Sequence, residues 1–340
     1  MSLKIRKLSY SLAINEALHQ AMEVDPRLML IGQGVKSPWY VGNTAQGLLE
    51  RFGGMRVIDT PVSENAVTGA AVGAALVGAP TVVVHPRMDF MMYALDPIIN
   101  EAANWHYMNG GRAPVPVVFW GIINRGGEQA AQHSQSLHAI FAHVPGLKVV
   151  MPSTPRDAKG LMIAAIRDPN PVVFIEDRWL HGLKDAVPEE PYVTEIGKGM
   201  IARPGRDVTV TAISYMVPEA MKAADELACG GIEVEVIDLR SAKPLDRDLI
   251  LSSLGRTGRL VACDVAWLTG GLSAEVAAIA AGPGFELLRA PVERVALPDV
   301  PAPASKSLEN AYYPRAPQIV SAVRKVMAGG AKTGKKSGKR

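Results

Sequence analysis

The stretch Val57-Ile58-Asp59-Thr60-Pro61-Val62-Ser63-Glu64-Asn65 reads as the end of a strand, a break and the start of a helix. Val57 and Ile58 favour extended backbone, Pro61 removes a donor and stops the strand, and Ser63 carries an oxygen suited to capping a helix that begins at Glu64. No charged residue follows from Ala66 to Val84, so this helix is expected to be buried on most of its faces. Glu64 therefore stands by itself at the mouth of an apolar helix. A first-turn carboxylate can serve the helix dipole with no further purpose, or it can await a partner for its hydrogen bond.

Outward from this stretch the same alternation repeats. Leu28-Met29-Leu30-Ile31 is a short apolar run ending at Gly32, and 81–84, 115–120, 148–150 and 172–175 are of the same kind. Helical periodicity occupies 8–25, 64–78, 91–108, 136–142 and 156–167. Short apolar strands alternating with helices predict an α/β fold with a mainly parallel sheet and helices on both faces. Between Gly182 and Gly205 the periodicity is broken by Pro188, Pro191, Gly197, Gly199 and Pro204. A second α/β unit is expected beyond it, with strands at 208–213, 233–239, 260–263 and 292–295 and helices near 217–229, 246–254 and 271–281. The expected division is 1–187 for the first domain, 188–204 for a linker, 205–328 for the second domain and 329–340 for a basic tail.

The chain has 340 residues and a formal charge of +3. Lys332, Lys335, Lys336, Lys339 and Arg340 all lie in the tail, and subtracting those five leaves the body at about −2. No nucleic-acid partner is expected for such a body. Cys229 and Cys263 form no Cys-x-x-Cys pair, which makes a reducing, cytoplasmic setting the expectation. A membrane span over Ala66 to Val84 is not expected, because Gly69, Gly73, Gly78 and Pro80 interrupt it. Polar residues from Ser9 to Glu16 likewise spoil a secretory signal at the amino terminus.

Gln132-His133-Ser134-Gln135 follows the flexible run Asn124-Arg125-Gly126-Gly127 and precedes a helix, a place for either a functional or a structurally bonded histidine. His133, His138 and His143 do not suit zinc, since steps of five residues turn the side chains about 140° apart on a helix. Ser134 has no nucleophile elbow around it. No phosphate loop, no Gly-x-Gly-x-x-Gly after the first strand and no Gly-Asp-Gly with downstream asparagines occurs. If a phosphorylated cofactor is used, another chain must hold its phosphates.

Several ordered segments carry a family resemblance. Val57 to Glu64, Ala131-Gln132-His133-Ser134-Gln135, Pro145-Gly146-Leu147-Lys148-Val149-Val150, Asp157-Ala158-Lys159-Gly160-Leu161 and Asn170-Pro171-Val172-Val173 resemble the beta subunit of thiamine-diphosphate-dependent 2-oxoacid dehydrogenases of the pyruvate, branched-chain and acetoin types. Asp238-Leu239-Arg240, Lys243-Pro244-Leu245-Asp246 and Gly270-Gly271-Leu272-Ser273-Ala274-Glu275 extend the match, which covers roughly residues 5–328.

The resemblance implies a pyrimidine-binding domain followed by a transketolase C-terminal-like domain. It implies a heterotetramer in which an alpha subunit holds the diphosphate and Mg2+. Glu64 matches the glutamate that bonds N1′ of the aminopyrimidine, letting the cofactor act as its own base. His133 matches the active-site histidine, which orients substrate or delivers a proton as the lipoyl group of a dihydrolipoyl acyltransferase opens. Val117, Ala165, Ile166, Asp168 and Asn170 fall where some members bind potassium, largely through backbone oxygens, although a plain helix-to-strand loop reads equally well there. The implied substrate is a small 2-oxoacid, pyruvate first, or acetoin.

Three departures touch the expected pocket. His85 stands where many members place an aromatic residue against the aminopyrimidine, Gln33 replaces an acidic residue, and Ile122 to Glu128 alters the glycine-rich loop. Arg87 and Arg125 are open to a substrate carboxylate, to acidic groups of the partner and to surface pairing. The carboxy-terminal half of a split transketolase-like enzyme, and a noncatalytic regulatory or scaffold homologue, are the competing readings.

Overall fold

The computed structural model describes residues 6–329. Backbone contacts divide it into two compact units, one formed by the chain up to Gly197 together with Arg240–Pro244, the other by Lys198–Leu239 and the chain from Leu245 onward. The strands in chain order are β1 (Lys7–Ser9), β2 (Met29–Gly32), β3 (Val57–Asp59), β4 (Thr81–His85), β5 (Val117–Ile123), β6 (Lys148–Val150), β7 (Val172–Asp177) and β8 (Lys184–Ala186). They continue as β9 (Met200–Arg203), β10 (Val208–Ala212), β11 (Val234–Asp238), β12 (Ser241–Lys243), β13 (Leu260–Trp267) and β14 (Glu293–Leu297).

In the first unit a seven-stranded sheet runs β12-β6-β7-β5-β4-β2-β3, and every pairing is parallel except β12 with β6. All seven residues of β5 are buried, as a run of Val, Phe, Trp and Ile broken only by Gly121 requires when helices cover both faces. One cover is the helix Tyr10–Val24, which buries Tyr10, Ile14, Ala17, Leu18 and Met22 and packs against the helix Pro155–Arg167. The second helix starts sharply, with Pro155 in its first turn and Thr154 Oγ1 accepting the Asp157 N–H at 3.0 Å. Lys159 on that helix is fully buried yet saturated, donating to Glu16 at 2.5 Å and to the carbonyls of Pro188 and Glu189 at 2.8 Å each. A short ribbon pairs β1 with β8 antiparallel.

The second unit holds a five-stranded sheet, β14-β13-β10-β11-β9, parallel save for β9. No helix among the described residues is long and apolar enough to cross a membrane.

Four expectations need correction. The helix Glu64–Leu76 buries Thr68, Ala71, Val72 and Ala75 but exposes Asn65, Ala66, Gly69, Ala70 and Gly73, because its small residues fall on two faces and only one meets this chain. Ser63 makes no side-chain cap; its carbonyl instead accepts the Val67 N–H at 2.9 Å. The region 91–108 is no single helix but a 3-10 segment (Met88–Ala94), a π segment (Asp96–Ala102) and a short α-helix (Ala103–Met108). The chain also crosses between units three times, after Gly197, Leu239 and Pro244: β9 forms inside the expected linker, and Arg240–Pro244, expected in the second domain, belongs to the first. Apolar periodicity marks a run as extended without saying which sheet pairs with it. The basic tail lies outside the described residues apart from Gly329, which ends the helix Ala316–Gly329.

Candidate functional site

At the carboxyl ends of β2, β3 and β4 the first unit opens into a cavity of about 290 Å³. Crevices at that edge are the usual ligand sites of parallel sheets. Backbone shape builds the floor. Gly32 closes β2 at φ +146°, with Val84 of β4 so near that a Cβ would stand 2.4 Å from the Val84 carbonyl oxygen. Gly34 follows at φ +70°, beneath the ring of Tyr40. The Asp59 carboxylate, at the end of β3, accepts the Gly34 N–H at 2.7 Å and ties the two strand ends together.

Glu64, His85 and His133 all line this cavity. Pro61 turns the chain out of β3 and Glu64 opens the next helix, half-buried, its side chain without a hydrogen bond or ion pair to any described residue. Thr60 Oγ1 beside it is buried and also lacks a partner. His85 ends β4 with 3% of its surface exposed, its Nε2 lying 3.3 Å from Thr68 Oγ1. Burial pushes its pKa down to about 4, so the ring is neutral near pH 7. The His133 ring stands edge-on to Phe90, with centroids 5.4 Å apart and planes at 88°.

A residue that sequence reasoning missed anchors the histidine loop. Asp89 is buried, and its Oδ1 accepts the Gln135 N–H at 3.1 Å. Burial raises its carboxyl pKa, while the Gln135 amide and the nearby His133 pull the other way. The available signal was an acid inside the apolar run Met88 to Ala94.

The two open arginines separate. Arg125 is fully buried against the Asp177 carboxylate at 3.4 Å and lies over the Trp179 ring at 6.0 Å, away from the cavity lining. Arg87 does line the cavity; its Nη1 donates to the Pro86 carbonyl at 2.8 Å.

Val117, Ala165, Ile166, Asp168 and Asn170 gather at the opposite, amino-terminal edge of β5 and β7. Ile166 and Asp168 line a second cavity of about 380 Å³ there. Lys148 Nζ already bonds Asp168, whose Oδ1 also accepts the Asn170 N–H at 3.0 Å. Asn170 Oδ1 is buried without a donor, the one side-chain oxygen of the set still available. Among the described residues no cluster of three or more His, Cys, Asp or Glu could hold a metal.

The first cavity suits a flat heteroaromatic ring. Val67, Val84 and Phe90 supply apolar walls, and Glu64 and Thr60 supply unspent polar atoms at one edge. Comparison with known proteins agrees. Residues 6–182 match the transketolase pyrimidine-binding domain, and residues 197–319 match the transketolase C-terminal domain. The chain belongs to the transketolase-like family. Within it, 335 residues are 44% identical to the beta subunit of acetoin:2,6-dichlorophenolindophenol oxidoreductase from Cupriavidus necator, covering 96% of this chain and 99% of the relative. A pyruvate dehydrogenase E1 beta subunit from Rickettsia felis is 42% identical over 92% of this chain and 96% of its own length. A solved structure described as a split-gene transketolase, an inactive beta4 tetramer, superposes with a TM-score of 0.78 over 95% of this chain and 99% of that one, at 23% identity. That likeness concerns the fold. This transketolase-like family works with thiamine diphosphate, and the resemblance read from the sequence is the one the comparisons find.

Proposed function

We propose that this chain is the beta subunit of a dehydrogenase that decarboxylates a small 2-oxoacid, pyruvate first, or cleaves acetoin, with thiamine diphosphate shared with an alpha subunit. The acyl group passes to the lipoyl arm of a dihydrolipoyl acyltransferase. One observation carries this reading: Glu64, with no protein partner, shares a single cavity with His85 and His133 in the pyrimidine-binding unit.

When bound, thiamine diphosphate supplies a nucleophilic carbon and a sink for the electrons left behind by carbon dioxide. Glu64 would hydrogen-bond the N1′ edge of the aminopyrimidine. His85, neutral at its buried site, would face the ring without adding charge. His133, kept in place by Phe90 and the Asp89-bound loop, orients the substrate and delivers a proton as the lipoyl disulfide opens. The alpha subunit supplies the diphosphate grip and Mg2+, in keeping with the phosphate motifs this sequence lacks. Asn170 Oδ1 and neighbouring carbonyls are the place for potassium.

The test is co-expression with an alpha-type partner, followed by 2-oxoacid and acetoin turnover with thiamine diphosphate, Mg2+, an artificial electron acceptor and lipoamide. Ketol transfer between sugar phosphates with no 2-oxoacid or acetoin turnover would assign the chain to a split transketolase. Partner binding with no turnover of any kind would make it a regulatory homologue.

A further inference from the structure

We propose that Trp39 limits the size of the acyl group the site accepts, and that Arg178 is the positioning residue that holds Trp39 over the cavity. This rests on the dehydrogenase reading above and names what keeps its substrate small.

Trp39 lies on the four-residue helix Pro38–Val41, in the segment that follows β2. A helix of one turn leaves its last carbonyls without intrahelical donors. Arg178, in the turn that follows β7, supplies them: its Nη2 donates to the carbonyl of Trp39 at 3.1 Å and to that of Tyr40. In the sheet, β4 and β5 lie between β2 and β7. The contact therefore bridges three strand spacings, roughly 14 Å, and carries the helix out over the carboxyl end of β4, where His85 sits. His181 gives a second hold. Its ring lies against Gly42 at φ +63°, where a Cβ would stand 3.3 Å from Nδ1, and its Nε2 is 3.3 Å from the buried Glu176 carboxylate of β7. Burial and then Arg87 depress the Arg178 pKa, and the same Glu176 opposes them.

The two aromatic residues of this helix differ. The Tyr40 ring is committed to Gly34, where a Cβ would stand 2.5 Å from Tyr40 Cγ. Trp39 is 74% exposed, the one large apolar side chain of the cavity lining left mostly open. Its indole has a broad face to offer to whatever fills the cavity. It also takes up room. The pyrimidine ring held at Glu64 and the acyl chain beside His133 share a cavity of about 290 Å³. The space left under Trp39 therefore fits a methyl group better than a branched or longer chain. Trp39 is then a specificity-determining residue, and Arg178 acts through it.

The experiment uses the complex reconstituted with its alpha partner, thiamine diphosphate and Mg2+. It compares kcat/KM for pyruvate with that for 3-methyl-2-oxobutanoate, and for acetoin with that for its homologue propioin. We expect the short compound to be preferred in whichever pair is turned over. Trp39→Ala, a change at an exposed side chain, should cut that preference by about 10-fold, the scale of a methylene group in an apolar pocket. Arg178→Leu should cut it by a similar factor and raise KM for the short substrate more than it changes kcat. Arg178→Lys, which keeps a charged donor, should restore part of the preference. In the double variant, Arg178→Leu should add little once Trp39 is alanine. A wild-type preference for the larger compound, a preference unmoved by Trp39→Ala, or additive effects in the double variant overturns the proposal and leaves the dehydrogenase reading standing. Loss of alpha-subunit association in Trp39→Ala, seen by size exclusion, also overturns it, because Trp39 then serves the interface. Ketol transfer between sugar phosphates alone defeats both readings.

Discussion

Glu64 has the dipole of a helix behind it and no protein group in front, so its side chain is held in place without being used up. Glu64→Gln keeps the shape and the hydrogen-bonding length but removes the acid. We expect assembly with the alpha partner to survive and turnover to fall by at least ~10²-fold, the scale of lost proton-transfer catalysis; wild-type turnover would remove Glu64 from the mechanism. His133→Ala should depress the lipoamide-dependent rate more than decarboxylation measured with an artificial acceptor, and equal losses would deny it a role in acyl transfer. His85 makes a prediction about stability. Its folded pKa of about 4 lies below the ordinary 6.5, so between those values the unfolded chain binds the extra proton. Stability from this group is complete above pH 6.5 and is lost as pH falls towards 4, by roughly 3 kcal/mol at full burial. His85→Phe should flatten that part of the urea-unfolding profile; an unchanged acid limb would place the sensitivity elsewhere. Glu64 could be singled out in the chain as the one charge ahead of a long uncharged run, and His133 as a histidine in a loop that leads into a helix. Asp89 gains its meaning only from burial, and burial depends on partners far away in sequence.

Among the elements, the strand ends at the cavity are the least tolerant of change. Gly32→Ala would need a positive φ and would drive a methyl group into the Val84 carbonyl. We expect a loss of about 2–4 kcal/mol together with lower turnover, since Val84 adjoins His85; a melting temperature equal to wild type would show that β4 shifts freely. Parallel strands were legible as short apolar runs: β2, β4, β6 and β7 lie within a few residues of expectation. The 88–108 region was not, because apolar spacing cannot distinguish α, 3-10 and π winding. The helix Glu64–Leu76 taught a different lesson. Its alanines and glycines are equally compatible with burial in one chain or against another, and an uncharged sequence does not choose between them.

On the scale of the whole molecule, the exposed uncharged face of that helix makes the chain a half-finished object. We expect its melting temperature to rise when the alpha partner is added, and to rise further with partner concentration, as linkage requires; a melting point indifferent to partner would mean that this face is finished as it stands. The boundary near 197 was visible as a break in periodicity, but the return of Arg240–Pro244 to the first sheet was not, because three residues of extended chain carry no address. That return has a consequence for how the protein is made. As the polypeptide leaves the ribosome, β6 waits with one edge unpaired until Ser241–Lys243 emerges, long after the rest of its sheet is complete. For that interval the nascent chain carries an open edge able to recruit a stranger. Speed of translation between residues 198 and 243 therefore becomes a determinant of yield.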